Sequence, residues 1–312
     1  MTTTKTNTTR NRHTKSPRED VYTRITNQVI AQLEAGVRPW MKPWNAEHAA
    51  GRICRPLRYN GDVYNGINIL MLWESAERQG FACPLWVTFK QAQELGGHVR
   101  KGEKGSPVVF ASTFSKEVKD DQGETVDKQI PFLKQYTVFN AEQCEGLPDR
   151  FYELQQAPDS DIERIQHVDT FVQATGAEIH EGGIRACYIQ SIDAIRMPKI
   201  ETFRDAESFA ATLVHELTHW TKQESRLDRD TGRKQWGDEG YAMEELVAEM
   251  GAAFLCADLG ITPELREDHA SYIDHWLRVL KQDKRAIFKA ASMASKAASY
   301  LHDLQPRPVT DQ

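Results

Sequence analysis

Cysteine is scarce and unpaired in this sequence. The five cysteines, Cys54, Cys83, Cys144, Cys187 and Cys256, are odd in number and widely scattered, and no two of them form a CxxC pair. Neither a disulfide framework nor a thiolate zinc knuckle is therefore indicated. The pattern favours a reducing, cytoplasmic setting.

Long apolar runs are also missing. No stretch approaches the roughly 20 apolar residues that a membrane-spanning helix needs, and the start, MTTTKTNTTRNRHTK, lacks the apolar segment of a secretory signal. With 40% hydrophobic and 27% charged residues, the composition is that of a soluble globular protein, so no membrane partner is expected. A chain of 312 residues is long enough for two domains, each with its own core.

Charge is unevenly distributed along the chain. The net charge of -6 combines a basic front with an acidic back. Residues 1 to 110 carry 16 Lys and Arg against 9 Asp and Glu, which leaves 23 against 36 for the remainder. This asymmetry indicates two domains with different partners.

The order of sequence patterns predicts an α+β protein, with a mixed α+β front domain followed by a mainly helical back domain. The first helix signal is Ser16-Pro17-Arg18-Glu19, with an N-cap serine, and Gly36 ends that helix. The predicted divisions are a disordered basic tail at 1–15, a front domain at 16–148, a linker at 149–161, a back domain at 162–304 and a tail at 305–312.

Hydrophobic periodicity places further elements in both domains. In the front domain, GINILMLWESAERQ and TFKQAQEL (capped by Thr88) are predicted helices. GGHVRKGEKGSPVVFAS is a basic loop running into a strand, and the polar hairpin loop KDDQGETVDKQ leads to a strand in KQYTVFNAEQC. In the back domain, a helix from Ile162 to Gly176 precedes a strand, a turn and a strand in ACYIQSIDAIRMP. Four helices follow at about 206–224, 239–258, 263–281 and 284–303.

The pentapeptide HELTH, residues 215–219, lies in one of these predicted helices. Residues four apart point to the same side of a helix, so His215 and His219 can reach one metal ion. Glu216 lies about 100° further round, where its carboxylate can reach a water at that ion and act as a general base. The pattern predicts one Zn²⁺ per chain, for which Mn²⁺ or Co²⁺ can substitute.

A catalytic zinc needs a third protein ligand. The metzincin continuation requires a glycine and a histidine where the chain has Lys222 and Ser225, so that version is excluded. A glutamate on a following helix is the alternative, and AMEELVAEMGAAFL places Glu245 and Glu249 on one helical face. We predict Glu245 as the ligand and Glu249 as the acceptor of a histidine N–H, with Glu244 as the competing ligand.

Hydrolysis also needs a donor for the oxyanion that develops at the substrate carbonyl. Tyr188 and Tyr241 are the candidates, although either tyrosine can equally be a packing residue. A metal site without such a donor is structural.

The front domain interleaves aromatic and basic side chains, the combination that holds single-stranded nucleic acid through stacking and phosphate contacts. Trp40 and Trp44, which lie between prolines and cations, are the best stacking candidates, whereas the alternative makes most of these aromatics core residues. RKGEKG lacks the GK[ST] ending of a nucleotide-binding loop. The predicted DNA contacts are Trp40, Lys42, Trp44, Arg58, Tyr59, Trp86, Lys90, Arg100, Lys101 and Lys104.

Several long motifs occur in a characteristic order: VYTRITNQVIAQLEAGVRPWMKPW, YNGINILMLW, WVTFKQAQELGGHVRKGEKGSPVVF, YTVFNAEQCEGLP, HELTHW and EELVAEMGAAFL. Together they closely resemble the ArdC family of plasmid antirestriction proteins. The resemblance implies a front single-stranded-DNA-binding domain, similar to one in certain plasmid primases, and a zincin-like metallopeptidase domain. It also implies protection of entering DNA from host restriction, with His215, His219 and Glu245 as ligands and Glu216 as the catalytic acid and base.

Two functions remain open from the sequence. In the first, single-stranded DNA concentrates an active zinc peptidase, whose substrate is a host restriction protein or another DNA-associated protein. In the second, the metal domain is a structural scaffold and coating of the DNA alone protects it. A nuclease is less favoured, because nucleases often use paired metals and more carboxylates. The oligomeric state is not revealed, and we favour a monomer.

Overall fold

Helices and short strands alternate in the first half of the chain and helices dominate the second, which confirms the predicted α+β class. The computed structural model describes residues 19–41, 53–119, 125–152, 161–232, 239–262 and 270–306. The predicted tail at 1–15, the predicted cap Ser16 and most of the predicted linker lie outside these ranges. No helix in the described part of the chain is both long and apolar enough to cross a bilayer.

The elements follow one another in the predicted order. The described front half contains α1 (Val21–Glu34), β1 (Leu57–Arg58), α2 (Ile67–Gln79), β2 (Leu85–Val87), α3 (Phe89–Glu94), β3 (His98–Val99), β4 (Ser106–Lys119), β5 (Thr125–Asn140) and β6 (Cys144–Glu145). The described back half contains α4 (Asp161–Thr175), β7 (Glu178–Glu181), β8 (Cys187–Ile189), β9 (Ala194–Met197), α5 (Ala206–Trp220), α6 (Glu239–Leu259), α7 (Ala270–Gln282) and α8 (Ala286–Asp303).

Helix α1 begins later than predicted. Its N-cap is Asp20 rather than Ser16, and the Asp20 carboxylate accepts a hydrogen bond from the Thr23 backbone N–H at 3.1 Å. Serine and aspartate are both good N-caps, so the local pattern does not choose between them. Gly36 follows the helix with a φ of 76°, which fits its predicted role at the helix end.

A four-stranded sheet in the order β1–β2–β5–β4 frames the front half. Its longest ladder is the β4–β5 hairpin, which pairs from Ser106 opposite Val138 to Lys119 opposite Thr125. The strands therefore extend well into the stretch predicted as a polar loop. Described side chains near that end are exposed on both strands, so the ladder forms there without the hydrophobic alternation that marks a half-buried strand.

A second, three-stranded sheet in the order β7–β9–β8 lies in the back half. Strand β7 runs parallel to β9 and β8 runs antiparallel to it, so β8 forms one edge. The sequence prediction missed β7, whose residues Glu178–Glu181 are mostly polar and exposed. Helix α5 packs against β8 and β9 on one side and against α4 and α6 on others.

One hydrophobic core extends through both halves of the described chain. Trp40 packs edge-to-face on Trp276 with ring centroids 5.4 Å apart, and Trp73 packs in the same way on Phe254 at 5.8 Å. A second, smaller cluster around Phe151 lies within the front half. The two halves of the described chain thus share one core, and the predicted domain boundaries stay predictions.

Candidate metal centre and nucleic-acid surface

Helix α5 presents the HELTH motif from a well-defined start. Its N-cap Asp205 accepts a hydrogen bond from the Ser208 backbone N–H at 2.7 Å, and hydrogen bonding from Ser208, with help from Arg204, lowers the pKa of Asp205 to about 2. The helix ends at Trp220, somewhat before the predicted end. Val214 and Leu217 are fully buried, so the motif stands on a rigid apolar support.

Helix α6 approaches α5 very closely at Gly251. A Cβ atom at this position would lie 2.5 Å from Cγ2 of Thr218, which is too close for any real side chain. Only glycine therefore permits this approach. The contact brings the acidic face of α6 against the histidine face of α5.

Three donor groups converge at this contact: the imidazoles of His215 and His219 and the carboxylate of Glu245, all buried. His215 Nε2 lies 3.7 Å from Glu245 Oε2, and His219 Nε2 lies 3.6 Å from Glu245 Oε1. These separations exceed a hydrogen bond. They match the spacing of roughly 3.4 Å that ligands about 2.1 Å from a tetrahedral ion have between them. Two imidazoles and one carboxylate thus fit a divalent metal in the space between them.

Glu244 occupies a different place from the competing ligand that we considered. Its Oε1 lies 3.1 Å from His219 Nδ1, on the side of the ring away from Glu245, and Arg229 donates to both of its oxygens at 2.8 and 3.0 Å. Burial alone would raise the pKa of Glu244, but hydrogen bonds from His219 and Arg229 lower it to about 2. Glu244 is therefore placed to orient His219 rather than to share its ion.

The charge of His219 follows from the same carboxylates. Burial alone would lower the pKa of His219, but Glu245 and Glu244 outweigh burial and raise it to about 9. The pKa of Glu245 lies well below its ordinary value, because the two histidines outweigh the effect of its burial. Without a metal the centre thus holds a proton on His219 at neutral pH.

Glu249 lies one turn further along α6, beside the other histidine. Its Oε1 is 4.0 Å from His215 Nδ1, the ring nitrogen that points away from Glu245. The distance is longer than a direct hydrogen bond. Its Oε2 accepts hydrogen bonds from the Trp40 indole N–H at 3.0 Å and from Arg38 at 3.3 Å.

The carboxylate of Glu216 faces strand β8. Its Oε2 accepts a hydrogen bond from the Tyr188 backbone N–H at 2.9 Å. The Tyr188 hydroxyl donates to Asp193 at 2.8 Å, and Arg226 donates to the same hydroxyl and to Asp193. Burial, reinforced by Asp193, raises the pKa of Tyr188 to about 12. The prediction of Tyr188 as an oxyanion donor is therefore not supported. Its hydroxyl already donates its hydrogen to Asp193, and it is the Tyr188 backbone N–H, not the ring, that contacts Glu216.

Tyr241 remains a candidate donor. Its hydroxyl lies 2.9 Å from that of Tyr272, and burial together with the nearby Glu245 carboxylate raises the pKa of Tyr241. The phenol is thus protonated at neutral pH and adjacent to the three converging donors.

Two of the predicted DNA contacts are wrong. Trp40 and Trp86 are 0% and 2% exposed, so neither ring offers a face to a base. Trp40 is wedged against Trp276, and Trp86 lies in β2, between two neighbouring strands, with Phe81 against its ring. Lys42 and Trp44 lie outside the described residues.

The remaining predicted contacts are on the surface. Arg58 lies over the Tyr64 ring at 5.4 Å, and Tyr59 is 40% exposed. Two of the cations have acidic neighbours: Lys90 pairs with Glu94, and Arg100 with Glu103. Lys101 and Lys104 are exposed.

A strip of exposed aromatic residues on the β4–β5 hairpin was missed. Phe110, Phe132 and Tyr136 are 52%, 37% and 40% exposed, and the strand register puts all three on one face together with Lys134. The Lys134 ammonium lies 5.1 Å from the centre of the Tyr136 ring. The alternation of Phe132, Lys134 and Tyr136 in the sequence is the signal that would have found this aromatic strip.

A groove of about 620 Å³ runs beside the strip, between β4 and helix α8. Phe110 forms part of its wall, with Arg58 contributed by the front half and Lys296 by the back half. Aromatic rings and cations from both halves therefore line one continuous depression.

Different family models match the two halves of the chain. A model of the N-terminal domain of anti-restriction factor ArdC matches residues 19–139, and a model of a zincin-like metallopeptidase matches residues 166–293. The uncharacterized protein y4eC of Sinorhizobium fredii is 40% identical over 291 residues, 92% of each chain. DNA primase TraC of Escherichia coli is 37% identical over 304 residues, but this chain spans 27% of its length. The likeness to TraC covers both halves, not the front half alone.

The solved structures include antirestriction protein ArdC from plasmid R388. Its metal-free crystal structure is 46% identical, with a TM-score of 0.76, over 93% of this chain and 100% of that one. Its Mn(II)-bound structure is 44% identical, with a TM-score of 0.73, over 92% and 98%. The chain therefore belongs to the ArdC family of antirestriction proteins, and its back half is a zincin-like domain.

Proposed function

We propose that this protein protects entering DNA from restriction by binding its single strands and by hydrolysing peptide bonds at a divalent metal. The observation that carries the catalytic part is the convergence of His215, His219 and Glu245 beside Glu216, with all four side chains buried. The existence of a Mn(II)-bound structure of the related ArdC protein supports a divalent ion as the cofactor. Zinc is our choice, because two imidazoles and a carboxylate are its usual catalytic set.

The bound ion would polarise the substrate carbonyl and acidify a water. Glu216 accepts the proton of that attacking water and passes it to the leaving amine. The Tyr188 N–H holds the Glu216 carboxylate in place for this transfer. Tyr241 donates its hydroxyl hydrogen to the developing oxyanion. Glu244 orients His219 through Nδ1.

The aromatic strip is our candidate for the single-stranded DNA site. Unpaired bases stack on exposed aromatic faces, and phosphates need cations close by. Phe110, Phe132 and Tyr136 supply the faces, whereas Arg58 and Lys296 in the adjoining groove supply the charge. Single-stranded DNA lying along the β4–β5 hairpin would therefore contact both halves of the protein.

Glu216→Gln tests the catalytic role. We expect the variant to bind the metal and single-stranded DNA as the parent does and to hydrolyse peptide bonds about 10²–10⁴-fold more slowly. It should also lose protection, measured as the efficiency of plasmid transfer into restricting hosts relative to transfer into non-restricting hosts. Glu201→Gln, the same change at an exposed position, is the matched control. Full protection by Glu216→Gln would refute hydrolysis as the basis of protection and favour the scaffold alternative.

Leucine substitutions at Phe110 and Tyr136 test the aromatic strip. Each should weaken the binding of a labelled single-stranded oligonucleotide by about 1–3 kcal/mol, the worth of one stacked base, as measured by fluorescence anisotropy. Tyr136→Phe keeps the ring and should bind as the parent does. Unchanged affinity in both leucine variants would place the DNA elsewhere. Affinity should also fall with the logarithm of salt concentration.

A further inference from the structure

A segment of the front half reaches into the surroundings of the metal centre. After α1 ends, Arg38 and Trp40 lie against α6, where both donate hydrogen bonds to the same carboxylate oxygen of Glu249. The tryptophan and the glutamate are 209 residues apart in sequence. Trp40 is fully buried, and the Arg38 side chain is 13% exposed. This is a buried, directed contact rather than a surface encounter.

Glu249 lies between this segment and a histidine of the centre. Its Oε2 faces Arg38 and Trp40, whereas its Oε1 faces His215 Nδ1 at 4.0 Å. His215 points its other nitrogen, Nε2, toward Glu245. A chain of contacts therefore runs from Trp40 through Glu249 to the imidazole that would bind the ion.

The charges along this chain are complementary. Glu249 is 6% exposed, and a carboxylate so far from water needs a cation or several hydrogen-bond donors. Arg38 supplies a cation and the Trp40 indole supplies a donor in a fixed orientation. Both groups act on Oε2, while Oε1 of the same carboxylate faces His215 Nδ1 at 4.0 Å.

We infer that Arg38 and Trp40 are positioning residues of the metal centre. They hold Glu249 so that it keeps the His215 ring oriented with Nε2 toward the ion, which is how carboxylates behind metal-binding histidines act. The inference rests on the proposed metal function. It gives the front half, which was interpreted as a DNA-binding module, a second role in completing the back half's metal centre.

Metal affinity tests this role without any need for a peptide substrate. Glu249→Gln should bind Zn²⁺ about 10–100-fold more weakly, measured by competition with a chromophoric chelator. Trp40→Phe and Arg38→Met act one hydrogen bond further away, so we expect about 3–10-fold. Arg38→Lys, which keeps the charge, should recover part of the loss. The visible absorption of the Co²⁺-loaded variants should also change, because it reports ligand geometry.

Trp73→Phe is the matched control. Trp73 is also a buried tryptophan packed on α6, but its indole N–H donates to the Cys54 carbonyl at 2.9 Å and not to Glu249. The Trp73→Phe variant should therefore bind Zn²⁺ and Co²⁺ as the parent does. If Trp40→Phe and Arg38→Met match Trp73→Phe in affinity and in Co²⁺ spectrum, this inference is overturned. If the parent itself binds no ion, the proposed metal function fails, and the inference falls with it.

Discussion

Replacement of Arg229 by methionine should strongly destabilise the protein. The Arg229 side chain is 3% exposed, and it donates to both oxygens of Glu244, which is 2% exposed. It also donates to the Thr218 carbonyl at the end of the metal-binding motif. Methionine keeps much of the apolar stem but removes one of the two cations, Arg229 and protonated His219, that face the buried Glu244 carboxylate. Breaking a buried pair in this way costs about 3–5 kcal/mol.

The expected change in melting temperature follows from the chain length. An unfolding entropy of about 2.1 cal/mol/K per residue over 312 residues gives roughly 0.66 kcal/mol/K. A loss of 3–5 kcal/mol should then lower Tm by roughly 5–8 °C, measured by calorimetry of metal-free protein. Arg204→Met is the control, because its ion pair with Asp205 is largely exposed, 75% and 46%, and should contribute under about 1 kcal/mol.

A double variant separates the buried charge from the other effects of the mutation. Arg229→Met combined with Glu244→Gln removes both charges and leaves an amide that can still face His219. Replacing both partners of a buried pair is often nearly neutral, so the double variant should regain most of the lost stability. A single variant that loses less than about 1 kcal/mol, or a double variant that loses more than the single, would refute the reasoning.

Two further predictions concern helices α5 and α6. Gly251→Ala should push α6 away from Thr218, so the protein should lose about 1–3 kcal/mol of stability. It should also bind Zn²⁺ more weakly, as measured by competition with a chelator. Unchanged affinity would show that metal binding does not require the close approach of the two helices. Because the pKa of His219 is raised to about 9, this imidazole must lose its proton on binding an ion. Calorimetry at pH 7 in buffers of different ionisation enthalpy should therefore show release of about one proton, and apparent affinity should rise about tenfold from pH 7 to pH 8. Heats independent of the buffer would contradict the charged state of His219.

The helical part of the metal centre could be predicted because its information is local. The spacing of His215 and His219 places both on one face of any helix, and the spacing of Glu245 and Glu249 does the same on the next. The structure brings His215, His219 and Glu245 together and puts Glu244 behind His219. The choice between the adjacent glutamates rested on that spacing, whereas the assignment of the ligands to a bound metal remains a proposal.

Long-range contacts could not be predicted in the same way. A tryptophan between prolines and cations has the same local pattern whether it faces DNA or distant helices. The contacts of Trp40 with Glu249, 209 residues away, and with Trp276 therefore left no signal in its own segment. The role of Arg229 was missed for the same reason. Strand β7 was missed because its polar side chains show neither helical nor strand periodicity.

The core that joins the two halves affects how the chain must fold during synthesis. Thr26 on α1 donates to the Lys284 carbonyl, and Gly66 at the start of α2 donates to Ser295 on α8. These partners leave the ribosome more than two hundred residues after the groups they bind. The parts of α1 and α2 that pack on α7 and α8 therefore stay uncovered until those last helices have been made, and contacts so distant in sequence favour slow folding and aggregation of the nascent chain.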